Sequence, residues 1–114
     1  MRILLVQPTT YYPGKKALRS KTRWLLGLTL PYLAGLTPRH ITVEMADDRL
    51  GPIPYERRYD LVGITATCAT ARRAYEIAAE FRRRGVPVVM GGFHVSLHPG
   101  EALENADAVV VGEA

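Results

Sequence analysis

Val86-Pro87-Val88-Val89-Met90-Gly91-Gly92-Phe93-His94 is an apolar run that stops at two glycines. It reads as a buried strand that delivers bare backbone to a site. Gly85 closes the helix predicted before it, and two residues without side chains allow a flat ligand to approach the main chain more closely than any Cβ would permit. An isolated Gly-Gly pair is also compatible with an ordinary tight turn. The ends of the other strands decide between these readings.

On the amino-terminal side of this run, Ala71 to Arg84 places Ala74, Ile77, Ala78 and Phe81 on one face, with arginines, Glu76 and Glu80 opposite. This i, i+3, i+4, i+7 stripe predicts an amphipathic helix, with Gly85 in the left-handed position past its end. Glu80 stands four residues before Arg84, the favourable orientation, contributing about 0.3 kcal/mol. Arg72 and Arg73 in the first turn oppose the helix dipole and point to an anion nearby. Before this helix, Leu61-Val62-Gly63-Ile64-Thr65 is a short apolar strand followed by Ala66-Thr67-Cys68-Ala69-Thr70, all small. Such residues at a strand's carboxyl end leave room for a ligand and offer it donors; packing against the next helix accounts for them equally well.

On the carboxyl side come a loop from Val95 to Pro99 containing His98, a short helix from Gly100 to Asn105, and a fifth strand, Ala108-Val109-Val110-Val111-Gly112. Glu113 and Ala114 follow a strand that still needs a covering helix, so the sequence reads as part of something longer. At the other end, Arg2 to Gln7 is continuously apolar, the pattern of a central parallel strand, and stops at Pro8. Residues 9–22, with Tyr11, Tyr12, Pro13 and Gly14, lack periodicity and form a long loop. Residues 24–36 read as a buried helix that, because Pro31 fits only a first turn, has Thr29 as its N-cap and 24–28 as an entry segment, ended by Thr37-Pro38. Ile41 to Asp47 alternates apolar and polar residues and predicts a strand nearer the edge. Residues 49–60 hold Gly51, Pro52 and Pro54, too many breakers for a full helix.

A chain of 114 residues, 47% hydrophobic and 23% charged, builds one domain. Its 15 Lys and Arg against 11 Asp and Glu give +4, much of it on one helix and one loop. A solvated basic face accounts for this without nucleic acid. Cys68 alone forms no internal disulfide, and no leader pattern opens the sequence, so a cytoplasmic setting is expected. The apolar region from 24 to 36 is too short to span a bilayer.

Alternation of strand and helix predicts an α/β fold: a flavodoxin-like, Rossmann-like, doubly wound five-stranded parallel sheet of order 2-1-3-4-5. A ligand then sits outside the carboxyl ends of strands 1, 3 and 4. The candidate cofactor-binding residues are Gln7, Pro8, Thr9, Thr65, Ala66, Thr67, Gly91, Gly92, Phe93 and His94, with Gly112 and Glu113 at the fifth strand. No catalytic pairing of nucleophile and base occurs among them. A phosphoacceptor site would need acidic residues where Gln7 and Thr65 stand, and neither the dinucleotide fingerprint nor a P-loop is present. A large, mostly apolar ligand or a flavin remains.

These residues resemble the amino-terminal cobalamin-binding domain of cobalamin-dependent radical S-adenosylmethionine proteins. The likeness runs from Ile3-Leu4-Leu5-Val6-Gln7-Pro8 through Leu30-Pro31-Tyr32-Leu33-Ala34-Gly35-Leu36-Thr37-Pro38 and Val43 to Asp48. It continues in Tyr59-Asp60-Leu61-Val62-Gly63-Ile64-Thr65, Arg73 to Ala78, Gly85 to His94 and Ala106 to Ala114. The resemblance implies cobalamin lying across the strand ends, its nucleotide tail beside Thr65 to Thr67 and Gly91-Gly92. The histidine motif that ligates cobalt in methionine synthase-type domains does not occur, and no metal ligand is assigned; His94 and His98 read as exposed turn histidines. The resemblance also implies a following radical S-adenosylmethionine domain whose cysteines hold an iron-sulfur cluster, since Cys68 alone holds none. Residues 1–114 would then bind and present the corrinoid, while methyl transfer or another radical reaction belongs to the longer protein. A flavin- or nucleotide-binding module, or a docking domain using Tyr11, Tyr12 and Trp24, are the alternatives. On the crevice reading, Gly92→Leu is expected to abolish cofactor retention while the fold survives.

Overall fold

Five parallel strands carry the architecture, and their register explains which side chains enter the core. In a computed structural model, which describes residues 1–9, 33 and 35–112, β1 (Arg2–Gln7), β2 (Thr42–Asp47), β3 (Leu61–Thr65), β4 (Val88–Gly91) and β5 (Ala108–Val109) form one sheet. Its order is β2-β1-β3-β4-β5 with every pairing parallel, the flavodoxin-like arrangement expected. Leu4 stands opposite Val62 and Val6 opposite Ile64, and these in turn oppose Val88 and Met90. All six are buried on one face of the sheet.

That face is covered by α1 (Ala71–Arg83), α2 (Phe93–Leu97) and α3 (Pro99–Asn105). The α1 stripe buries Ala74, Ile77, Ala78 and Phe81, as the periodicity predicts, together with Ala71. Its end is a two-bond cap: Gly85 N–H donates to Arg82 at 3.0 Å and Val86 N–H to Phe81 at 3.0 Å. Gly85 adopts φ 81° there, the left-handed conformation that closes a helix. Glu80 bonds Arg83 as well as the expected Arg84. The breaker-rich connection before β3 forms no helix and instead sends Ile53 and Tyr59 into the core, where Tyr55 and Tyr59 flank Phe81 at 5.0 and 6.4 Å.

On the opposite face the described residues are less buried. Ile3, Leu5, Val43, Leu61, Gly63, Thr65, Val89 and Gly91 are half-buried, and Met45 is exposed. The alternation in β2 therefore runs opposite to its hydrophobicity. Pairing of Leu4 with Glu44 and Val6 with Ala46 turns the even-numbered residues toward the helices, where Glu44 meets Arg2 and Arg57. The helix expected over 24–36 lies almost wholly outside the described residues. Leu33, Gly35 and Leu36 are helical, and Leu36 is exposed.

Two boundaries differ from expectation. The fourth strand ends at Gly91, and Phe93 and His94 open a helix rather than extending strand and loop. The fifth strand keeps two residues, although Val110 N–H still reaches Met90 at 2.8 Å. Beyond that bond Gly112 N–H turns to the Ser96 hydroxyl at 2.9 Å, which draws the chain off the ladder.

Candidate functional site

The carboxyl ends of β1, β3 and β4 lie side by side, because Val6 pairs with Ile64 and Thr65 with Gly91. Gln7, Thr65, Gly91, Gly92 and His94 are half-buried there; Thr67, Phe93 and Gly112 are exposed. Pro8, Thr9 and Ala66 are buried. Glu113 falls outside the described residues.

The two glycines do different things. Gly92 has φ 102°, ψ −177°, and an added Cβ would stand 2.7 Å from the Ala66 carbonyl oxygen and 2.8 Å from Thr65 Oγ1. Its missing side chain serves the neighbouring strand end, where Ala66 N–H donates to Gly91 at 2.9 Å and His94 N–H to Ala66 at 3.0 Å. The expectation that Gly92→Leu spares the fold is therefore corrected: the substitution strikes backbone before it can reach a ligand. Gly91 has strand geometry, and its added Cβ would touch Val110 at an unstrained 3.7 Å. Among the described residues nothing requires a glycine at 91. With Gly63 and Thr65 it forms a shelf of small residues on the less buried face.

Past β3, the Thr70 hydroxyl accepts from Thr67 N–H at 2.9 Å and lies 3.2 Å from the Thr67 hydroxyl. This turn holds Thr67, Cys68 and Ala69 out to solvent, so they do not pack against α1 as one reading of the sequence allowed. Behind β1, Asp48 N–H donates to Gln7 at 2.9 Å, and the Asp48 carboxylate accepts from Thr9 N–H at 3.1 Å.

His94 departs from the exposed turn histidine expected. Its side chain is 12% exposed, packed against the Tyr75 ring at 6.1 Å and His98 at 4.9 Å, with Nε2 3.6 Å from Glu101. Among the described residues neither ring nitrogen has a hydrogen-bond partner. The imidazole lies among α1, α2 and α3 rather than over the shelf, and His98 is the exposed one. Nearby, an open groove of about 450 Å³ lies between α1 and α3, lined by Ala71, Arg72, Tyr75, Glu76, Ala79 and Glu101, and shares no residue with the strand ends.

Burial, with the Glu101 carboxylate adding to it, pushes the Tyr75 phenol from 10.0 up to about 12. The fold thus holds the protonated form. That contribution is fully present below pH 10 and is lost as pH rises toward 12. Thermal unfolding across this window is expected to show a falling midpoint that Tyr75→Phe flattens; equal slopes in both proteins would refute the linkage.

Comparison with known proteins joins this geometry to a family. Residues 34–114 match the model of the B12 binding domain. The chain is 47% identical over 96 residues to bacteriochlorophyllide d C-8(2)-methyltransferase of Chlorobaculum tepidum, covering 83% of this chain and 21% of that protein. It is 33% identical over 88 residues to the C-12(1)-methyltransferase of the same organism, covering 75% and 19%. An uncharacterized methyltransferase of Pyrococcus horikoshii is 34% identical over 126 residues, covering 99% and 27%. The chain thus spans about a fifth to a quarter of the length of these relatives. No solved structure matches it significantly. The matched region holds β2 to β5 and the Gly91 shelf, and on that match the chain belongs to the family of B12-binding domains.

Proposed function

We propose that this domain binds cobalamin across the carboxyl ends of β1, β3 and β4 and presents it for methyl transfer in a longer protein. The observation that carries the reading is the shelf of Gly63, Thr65 and Gly91. Gly91 has strand geometry, and among the described residues an added Cβ would meet only Val110, at an ordinary 3.7 Å, so packing does not demand its missing side chain and a ligand accounts for it. The half-buried face would receive the nucleotide tail, with strand backbone as its floor and one hydroxyl from Thr65. Thr67 and the exposed turn after it supply further polar groups at the mouth. Gln7, Phe93 and Gly112 would border the macrocycle, while Pro8, Thr9 and Ala66, buried as they are, would act by shaping the floor.

When bound, cobalamin supplies a cobalt-centred carrier for a methyl group. The chain's own work is to hold that carrier and exclude water from one side of it. No side chain here is assigned to cobalt, and the packing of His94 between Tyr75 and His98 argues against that residue as a ligand. The methyltransferase names of three relatives support methyl transfer as the reaction of the whole protein. A radical S-adenosylmethionine domain with its iron-sulfur cluster, carboxyl-terminal in the same polypeptide, is the partner this reading assigns, in a cytoplasmic setting where the exposed Cys68 thiol stays reduced. Among the described residues no helix is long and apolar enough to cross a membrane.

Titration of the purified protein with hydroxocobalamin and with FMN, followed by visible spectra, tests the proposal. Cobalamin retained through gel filtration with no flavin response is the expected result. Flavin retention, or uptake of neither compound, would overturn it.

A further inference from the structure

Two cations in the first turn of a helix call for an anion, and the structure supplies one from inside the chain. Arg73 Nε and Nη2 bond the Asp48 carboxylate at 2.7 and 3.1 Å, a two-pronged contact between the residue after β2 and the start of α1. Asp48 is fully buried and Arg73 18% exposed. The same carboxylate accepts from Thr9 N–H, and the Asp48 backbone donates to Gln7. One side chain thus ties three connections together at the edge where the ligand site lies: the exit of β1, the exit of β2 and the entry to α1. Hydrogen bonding to Asp48 also raises the Arg73 guanidinium above its ordinary value.

A buried ion pair is a poor device for stability alone, since apolar residues of similar volume serve as well or better. What it supplies is direction. The planar fork of an arginine fixes both distance and angle to a carboxylate, where a lysine fixes neither. We propose that Asp48 and Arg73 are positioning residues: they set the spacing between the exit of β1 and the Thr67–Thr70 turn leading into α1, and through it the width of the crevice and its affinity for cobalamin. The proposal rests on the cobalamin reading above. Neither residue touches the cofactor in it.

The test compares the dissociation constant for hydroxocobalamin, and the visible spectrum of the bound form, in the unaltered protein, Asp48→Asn, Arg73→Lys and the control Arg72→Ala. Circular dichroism confirms the fold of each at the titration temperature. Asp48→Asn and Arg73→Lys are expected to weaken binding about tenfold or more while still folded, because a displaced wall loses contacts steeply with distance. Arg72→Ala, one residue along the helix with an exposed side chain, should bind as the unaltered protein does. If Asp48→Asn does not fold, Arg73→Lys carries the test, since it keeps the buried charge and removes only the fork. Folded variants that bind with unchanged affinity would overturn the proposal and leave the cobalamin reading standing. Failure of the unaltered protein to take up cobalamin would overturn both.

Discussion

Gly92→Leu should lose a large share of its stability whether or not cobalamin is present. The residue sits at φ 102°, which L side chains adopt only under strain, and its Cβ would stand 2.7 Å from a carbonyl oxygen and 2.9 Å from the Ala66 nitrogen. Backbone cannot swing aside as a flexible side chain can, so conformational strain and overlap add, on the order of 3 kcal/mol or more. Against a total of about 5–15 kcal/mol for a domain of this size, that is a large share. Thermal or urea unfolding measures it, with a midpoint drop on the order of 15 °C expected. Gly92→Ala should behave in the same way, because the first carbon already collides. A midpoint within a degree or two of the unaltered protein would show that the β3–β4 junction is looser than its geometry indicates.

One residue earlier the expected outcome reverses. Gly91→Leu places its Cβ in ordinary contact with Val110, keeps strand geometry and replaces a residue that weakens strands, so the unfolding midpoint should hold or rise slightly. Beyond the Cβ, the leucine side chain would occupy the shelf over Thr65. On the proposed placement this excludes the cofactor, and the dissociation constant for hydroxocobalamin should rise about a hundredfold or more, equivalent to the loss of several close contacts. Equilibrium dialysis with spectral readout measures it. A stable Gly91→Leu protein that binds cobalamin as before would place the ligand elsewhere. Adjacent glycines with opposite phenotypes, one lost to unfolding and one to exclusion, form a pattern that general fragility of the loop does not produce.

How much of this was legible in the sequence depends on how local the governing interaction is. The buried stripe of α1 and its glycine stop follow from a 3.6-residue period and a cap that involve only the helix itself, and both appear as expected. The strand order follows from alternating strands and helices, because parallel strands require crossovers and crossovers have few arrangements. The end of β4 was harder. Phe93 and His94 follow the glycine pair with no helical period of their own, yet after Gly92, held at φ 102° beside Ala66 just past β3, they open a helix. In β2, the direction of Met45 and Glu44 was set by register with β1, which no alternation inside β2 reveals.

Composition and periodicity alone determined that this chain would make a parallel sheet with a glycine-rich edge, and motif order pointed to a corrinoid; both are properties of neighbours along the chain. Tertiary structure alone decided which glycine lies on the half-buried shelf, where the His94 ring goes, and that the anion beside Arg73 is Asp48. Those outcomes rest on contacts between separate elements, such as Arg73 with Asp48 25 positions away and His94 with Tyr75 on another helix, and a contact of that kind exists only once the chain has folded and its distances are fixed.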